Sequence, residues 1–425
     1  MLKSIAVAPP PAGASAPRRV VVVGGGAAGF FAAITAAEAG ASVLVLEKTS
    51  RFLDKVRISG GGRCNVTNAC FDPREFAARY PRGGQALLGP FQKFSARDTV
   101  AWFAARGVLL KTEADGRMFP VTDSSATIVD CLLGAAQQAR VKCRLNCAVQ
   151  AVRQEADGRF AVTIAGHPAG APDEVIPCDH LLLATGGCRA ASAGQLAVTL
   201  GHTLEPPLPS LFTFQIAAPW LRSLAGVAVE AEVSVPAARL RECGPVLITH
   251  WGLSGPAILK LSAWGARALH ALNYQFPLRI NWSPAVSQEQ LLQAFHACRS
   301  SAGAKLVVNV PRPPLTVRLW EQLVLAAGVP RATRWSVLTR PQALALAQQV
   351  TGTELAVAGK SLNADEFVTC GGVKLGEVNF KTMQSKRCPG LFFAGELLDI
   401  DGLTGGFNFQ AAWTTGCLAG RALAE

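Results

Sequence analysis

Three glycines carry the first chemistry in this chain. Gly24, Gly26 and Gly29 are spaced G-x-G-x-x-G, and an acid, Glu47, follows eighteen residues after the last. Gly24 permits a tight turn, Gly26 lets the backbone approach a pyrophosphate, and Gly29 allows close helix–strand packing. A helix N-terminus at this point offers free N–H groups and a positive dipole end. Glu47 accepts hydrogen bonds from ribose hydroxyls, which disfavours a 2′-phosphate here. Ala28, inside the spacing, and Lys48, beside Glu47, belong to the same predicted site. A second glycine run, Gly60-Gly61-Gly62, precedes Arg63, Cys64 and Asn65. It has no strand before it and reads as a loop whose N–H groups reach phosphates or the cofactor ring. Arg63 is a candidate counter-charge there; a structural arginine is the alternative. Cys64 and His250 are the titratable candidates for proton transfer. Against that role, a cysteine is commonly a small buried apolar residue. His250 ends the apolar run PVLIT and equally suits a satisfied structural histidine.

The C-terminal end decides which dinucleotide. Residues 391–396 (LFFAGE) read as a short buried strand ending in Gly395-Glu396. Asp399, Gly405-Gly406 and Phe407-Asn408 follow, then a helical run from Gln410 to Leu423. A last strand, an acid and a Gly-led helix resemble the flavin half of two-part FAD folds. The acid there holds ribityl hydroxyls, and the helix N-terminus faces the N1/O2 side of the isoalloxazine. The alternative is a core strand followed by a surface helix. No second G-x-G-x-x-G follows a strand, so hydride is expected from NAD(P)H docking transiently, or from another donor. Reducing a C=C bond beside a carbonyl then needs hydride from flavin N5 and one proton donor.

These residues must be placed by a large fold. At 425 residues the chain has room for about two or three domains. It is half hydrophobic and only 16% charged, which excludes a disordered chain. No repeat is visible. Its 12 cysteines include no C-x-x-C and no zinc spacing, so no metal is expected and reduced cytoplasmic thiols are. Val20 to Ala37 is uncharged, yet it runs Val-rich, Gly-rich, Ala-rich and reads as strand, turn and helix, not as a membrane span. Residues 1–17 read as a disordered tail. Strands are predicted at 19–23, 42–46 and 179–184, the last running into Thr185-Gly186-Gly187, with a strand pair over 142–153, which holds Val149, and 158–165. The fold class expected is α/β, a two-part Rossmann-like FAD-binding domain (18–190 plus 364–425). Into it is inserted a substrate or partner domain (191–363), barrel-like over about 205–285 and helical over about 286–350. The net charge of +12 sits in two blocks: eleven bases against four acids in 51–111, and fourteen against seven in 191–363. The densest part is 305–340. Either a polyanion surface or a solvated face explains this.

Several strings agree with one family. Lys55-x-x-x-Ser59-Gly60-Gly61-Gly62-Arg63-Cys64-Asn65-x-Thr67-Asn68 and Thr249-His250-x-Gly252-Leu253-Ser254-Gly255-Pro256 resemble signatures of the BaiN/RdsA family of bacterial NAD(P)/FAD-dependent oxidoreductases. So do Gly371-Gly372-Val373 and Gly395-Glu396-x-x-Asp399 followed by Gly405-Gly406-Phe407-Asn408-x-Gln410. The resemblance spans about residues 19–422. It implies bound FAD, held by these loops together with Val149 and Thr185-Gly186-Gly187. Members are described as ribosomal-RNA dihydrouridine synthases, reductases of conjugated steroid ketones, and an aminoacetone oxidase. The chain departs at Phe407, where the family has Tyr, at 188–194, and at Arg57. The leading expectation is reduction of a uridine C5=C6 bond in ribosomal RNA, bound through blocks 51–111 and 305–340. The alternatives are a small-molecule oxidoreductase of an enone or amine, and a flavoprotein with a binding role.

Overall fold

Four consecutive valines, Val20–Val23, present no polar face, and a strand of this kind is stable only when covered on both sides. In the computed structural model all four are buried, at the centre of a seven-stranded sheet. The structure describes residues 16–166, 172–188, 191–312, 314–361 and 368–425. Residues 1–15 of the expected tail, and the expected boundaries at 190/191 and 363/364, fall on or beside residues outside these ranges. The sheet order is Val378–Asn379, Gln384–Ser385, Leu391–Phe393, His180–Leu183, Arg19–Val23, Ser42–Leu46, Lys142–Arg144. The last five strands are parallel. Val23 pairs with both Leu46 and Leu183, so Gly24, Glu47 and Ala184 leave the sheet at one edge.

Helix Ala27–Glu38 follows the first strand, and helix Phe407–Leu423 ends the chain. A Cβ added to Gly416 would lie 2.7 Å from the carbonyl oxygen of Ala28, and one on Gly420 would lie 2.5 Å from that of Ala32. The backbones therefore touch, in parallel, along two small-residue steps. From this contact the C-terminal helix reaches back eight residues further, about 12 Å at 1.5 Å per residue. Its N-terminus projects beyond that of the first helix by that length.

The described residues form two hydrophobic cores. The first takes buried residues from 20 to 211 and from 373 onward, with Ala263. The second runs from Phe212 to Val357. The change of core thus falls at 211/212, because Leu196, Ala197 and Leu211 pack on the first. The second core fills a closed barrel of Phe214–Ile216, Gly252–Ser254, Leu240–Ile248, Ala228–Val235, Phe276–Asn281 and Thr353–Lys360, joined by helices Gln288–Ser301, Val317–Ala326 and Arg340–Gly352. Two details depart from the sequence reading. The closing strand Thr353–Lys360 comes after the helices and outside the span 205–285. Strand Leu204–Ser210 pairs with Val368–Val373 instead of joining the barrel.

Arg82 stands where the cores meet. It donates to both carboxylate oxygens of Asp401, to the Ala263 carbonyl (2.7 Å) and to the Ser210 hydroxyl (3.1 Å). Asp401 is fully buried, and burial pushes its carboxyl up against the pull of Arg82. A second buried strut joins His202 to Glu377 (2.9 Å) and Ser385 (2.8 Å), with burial pushing the imidazole pKa down.

The glycine contact is directly testable. Gly420→Val forces a side chain against the Ala32 carbonyl and the Thr35 Cβ, which the same added Cβ would approach to 2.6 Å. Overpacking of this kind costs about 1–3 kcal/mol. A lowered thermal midpoint is expected, with weakened flavin retention; an unchanged midpoint would show that the helices do not need to touch.

Candidate active site

The carboxyl edge of a parallel sheet is where such folds bind ligands. At that edge Gly24 has φ +113°, and a Cβ there would lie 2.3 Å from the Ala184 carbonyl oxygen. A Cβ on Gly29 would lie 2.0 Å from the Gly24 carbonyl oxygen. Both glycines are required by the protein's own packing. Gly26 differs: it is the N-cap of helix Ala27–Glu38, and a Cβ there would meet nothing within 4 Å. That helix has no side-chain cap and no acid in its first turn. Its free N–H groups and positive end therefore face open space. Glu47 is held beside them: its carboxylate accepts from the Gly25 N–H (2.7 Å) and from the N–H (2.9 Å) and hydroxyl (3.0 Å) of Thr49. Lys48 is exposed next to it, and Val149 is half-buried in the strand Val149–Gln154.

The C-terminal loop meets this site through the last parallel strand. Gly395 has φ +72°, its N–H donates to the Thr415 hydroxyl (3.0 Å), and a Cβ there would touch that of Ala28 at 2.8 Å. Glu396 accepts from Lys55 (2.5 Å) and from the Thr369 N–H (3.1 Å). Gly187 packs against that carboxylate, while Gly186, at φ +77°, faces open space after Thr185. Asp399 accepts from the Gly371 N–H (2.9 Å) and pairs with Arg267 of the insertion (3.1 Å). Gly406 is the N-cap of helix Phe407–Leu423, which likewise has no side-chain cap and no first-turn acid.

The segment 65–68 clamps that helix start. The Asn65 amide, oriented to satisfy both its ends, accepts from the Gly406 N–H (2.9 Å) and donates to the Thr67 carbonyl (3.0 Å). Asn68 donates to the Gly405 carbonyl (3.0 Å), Thr67 to Gln410 (2.7 Å), and Trp413 to the Val66 carbonyl (2.9 Å). Asn408 bridges the N–H and carbonyl of Gly402 (2.8 and 2.9 Å). Phe407, at the Tyr position, is buried, and its carbonyl accepts from the Tyr80 hydroxyl (2.5 Å). The glycine run has φ +58°, +67° and +83° at Gly60, Gly61 and Gly62, and Cβ atoms on Gly61 and Gly62 would meet nothing within 4 Å.

Two expected roles change here. Arg63 does not stand as a free counter-charge. It pairs with Glu113 (2.7 Å) and Asp123 (3.5 Å) and lies over the Phe119 ring (4.0 Å). Cys64 sits at φ +60° with no exposure, and burial pushes its thiol up to about 12. His250 is exposed on the barrel turn between strands Leu240–Ile248 and Gly252–Ser254. Among the described residues, no hydrogen bond or ion pair joins it to the glycine loops. Sequence reasoning missed Arg82, Asp401, Thr415, Gly416 and Gly420. The last two did carry a signal, an i, i+4 glycine pair inside a helix.

Two uncapped helix N-termini, about 12 Å apart along parallel axes, fit a long anionic cofactor with charge at two places. Open backbone at Gly26, Gly61, Gly62 and Gly186 leaves room for it, and the Glu47 carboxylate suits a ribose. These residues fit FAD. Comparison with known proteins agrees. The family described as HI0933-like protein Rossmann domain matches residues 18–422. The chain is 30% identical over 414 residues to the 3-dehydro-bile acid delta(4,6)-reductase of Clostridium scindens, covering 92% of this chain and 96% of that one. It is 30% identical over 393 residues to the ribosomal RNA dihydrouridine synthase of Escherichia coli, covering 89% and 91%. Its fold resembles that of the 3-ketosteroid-delta4-(5alpha)-dehydrogenase of Rhodococcus jostii, with TM-score 0.53, 17% identity, and 97% and 98% coverage.

The glycines separate two effects. Gly26→Ala has room for its methyl and an ordinary φ of −90°, so the apoprotein is expected to melt as wild type while FAD affinity falls. Gly24→Ala is expected to lower both. Equal retention of FAD by Gly26→Ala, measured by flavin fluorescence after dialysis, would remove the pyrophosphate from this loop.

Proposed function

The chain belongs to the HI0933-like family of FAD-dependent oxidoreductases, and from that premise we propose that it reduces the C5=C6 bond of a uridine in large-subunit ribosomal RNA. The observation that carries this reading is where the charge ends up. Of the eleven bases in 51–111, Arg51, Lys55, Arg63, Arg82, Arg106 and Lys111 form ion pairs. The other five, Arg57, Arg74, Arg79, Lys93 and Arg97, have no carboxylate partner among the described residues, so the block keeps part of its charge. The helical part of the insertion presents its free bases together. Arg299 donates to the Ser336 carbonyl (3.3 Å), and Leu306 bridges Arg334. These contacts bring 299–306 against 333–340. Arg299, Lys305, Arg334 and Arg340 are all exposed there, and no carboxylate pairs with them among the described residues. An unneutralised cationic end is what phosphate backbones bind, with strong salt dependence.

When bound and reduced, FAD supplies hydride; NAD(P)H, docking transiently, is the proposed source of its electrons. The protein must expose the base, exclude water and deliver one proton. A target base has to leave any stack to be reached. Of the two donor candidates, we favour His250, because it is exposed, whereas Cys64 is sealed in the core away from a substrate. A second reading, reduction of a small conjugated enone, is supported by the equal 30% identity to the bile-acid reductase. No helix of the described residues is long and apolar enough to cross a membrane.

A dihydrouridine map of large-subunit ribosomal RNA, from the native host with and without the gene, tests the reading. Loss of one dihydrouridine on deletion, restored by the wild-type gene, is expected. An unchanged map, together with reoxidation of the reduced flavin by 4-androstene-3,17-dione, would move the assignment to a small enone. In the complemented strain, His250→Ala is expected to slow formation about 100-fold with flavin content unchanged, and Cys64→Ala to remain active. The reverse ranking would return the proton to Cys64.

A further inference from the structure

The outer wall of the barrel carries a polar cup of about 450 Å³ that lies outside the stretches 51–111 and 305–340. Its floor follows from strand register. Ser234 pairs with Arg241 on one side and with Arg279 on the other. Directly paired residues share a face, so Arg241, Ser234 and Arg279 form one row across three strands. With neighbouring strands about 4.8 Å apart, the two arginine Cα atoms stand about 10 Å apart with a hydroxyl between them. Arg239, from the turn that follows Ser234, and Asn281 also line it, together with Pro236, Leu240, Thr351 and one carboxylate, Glu232.

The charge is poorly neutralised. Arg241 reaches Glu232 only at 3.5 Å. Glu354 pairs in register with Arg279, yet no ion pair forms between them, and neither Arg239 nor Arg279 has a carboxylate partner among the described residues. Arg279 instead lies against the backbone of Gly352, where an added Cβ would be 3.0 Å from its Nε and Nη2. The guanidinium is thus pre-placed on a glycine with its donors unspent. Two planar forks flanking a hydroxyl match a phosphate group, which accepts bidentate hydrogen bonds. No aromatic ring lines the cup, so it offers nothing to stack on a base and reads charge alone.

We propose that this cup binds a backbone phosphodiester of the RNA substrate, as a second anchor beside the cationic end of the helices. The proposal rests on the RNA reading above. Helix Arg340–Gly352 links the two places: it begins in the cationic end and finishes at the wall of the cup, about 18 Å away. One strand lying along that helix contacts both.

The test uses FAD-loaded full-length protein and a fluorescein-labelled 20-nucleotide oligouridylate, with affinity followed from 50 to 300 mM KCl. Each phosphate contact contributes about 0.7 to the slope of log K against log salt for single strands, or about five-fold in affinity at 0.1 M. The double substitution Arg241→Gln and Arg279→Gln is expected to reduce the slope by about 0.7 and weaken binding about five-fold, with flavin absorbance and melting unchanged. Ser234→Asp, which puts a carboxylate in the middle of the cup and leaves both arginines in place, is expected to do the same. Wild-type slopes in both variants would overturn the cup while leaving the RNA reading intact. No salt-dependent binding by the wild-type protein would overturn both. Calorimetric binding of ADP that the double variant loses, with RNA binding unchanged, would assign the cup to a nucleotide and overturn the RNA assignment.

Discussion

Everything at the site depends on how closely two helices approach. Ala28 and Ala32 on the first helix meet Gly416 and Gly420 on the last, and the backbones touch. Side chains of ordinary size would hold helix axes 8–10 Å apart. Here their absence draws the C-terminal helix onto the first, and the parallel offset sends its N-terminus about 12 Å further out. The same contact seats Gly395 on Ala28, so the end of the last strand lies over the start of the first helix. Two positive helix ends are thereby fixed at a set distance. A cofactor whose pyrophosphate is separated by a ribityl chain from an electron-accepting ring needs such a ruler.

Charge is then sorted by the fold. A buried carboxylate such as Asp401 is stable only when desolvation is offset by a well-placed partner and further hydrogen bonds. Arg82 and Ser210 supply these, and the Ala263 carbonyl takes a further guanidinium donor. Because Ser210 and Ala263 approach from the insertion side and Asp401 from the flavin loop, this network ties the position of the barrel to the loop between Gly395 and Gly406. Arg267 with Asp399 repeats the tie at the surface, where solvent weakens it. In the helical subdomain Arg331 pairs with Glu321, while Arg299, Lys305, Arg334 and Arg340 have no carboxylate partner among the described residues. They remain on its exterior, where a polyanion can reach them.

The insertion shows why a barrel is hard to read linearly. Its inward residues alternate, as in Val229, Ala231, Val233 and Val235, and this pattern is visible without coordinates. Closure is not visible in this way. The strand that completes the barrel, Thr353–Lys360, follows three helices and has no local mark of membership. Leu204–Ser210, with three prolines, lies in the part first expected to open the barrel, yet it pairs with Val368–Val373. Pairing between strands so distant in the chain is decided by which faces must be covered.

The amino-acid order by itself determined the dinucleotide loop, its acid, the flavin-type C-terminal end and the family. These depend on short-range geometry: turns that only glycine makes, a helix start, an acid at a strand end. It also determined that the chain is basic. Only the tertiary structure decided which bases are free, since Arg63 and Arg82 are absorbed by carboxylates 50 and 319 residues away, while Arg334 and Arg340 are not. It likewise sealed Cys64 inside the core and left His250 on a barrel turn. The reason is physical. Backbone conformation follows from neighbours in sequence, but exposure, ion pairing and the acidity of a thiol follow from neighbours in space.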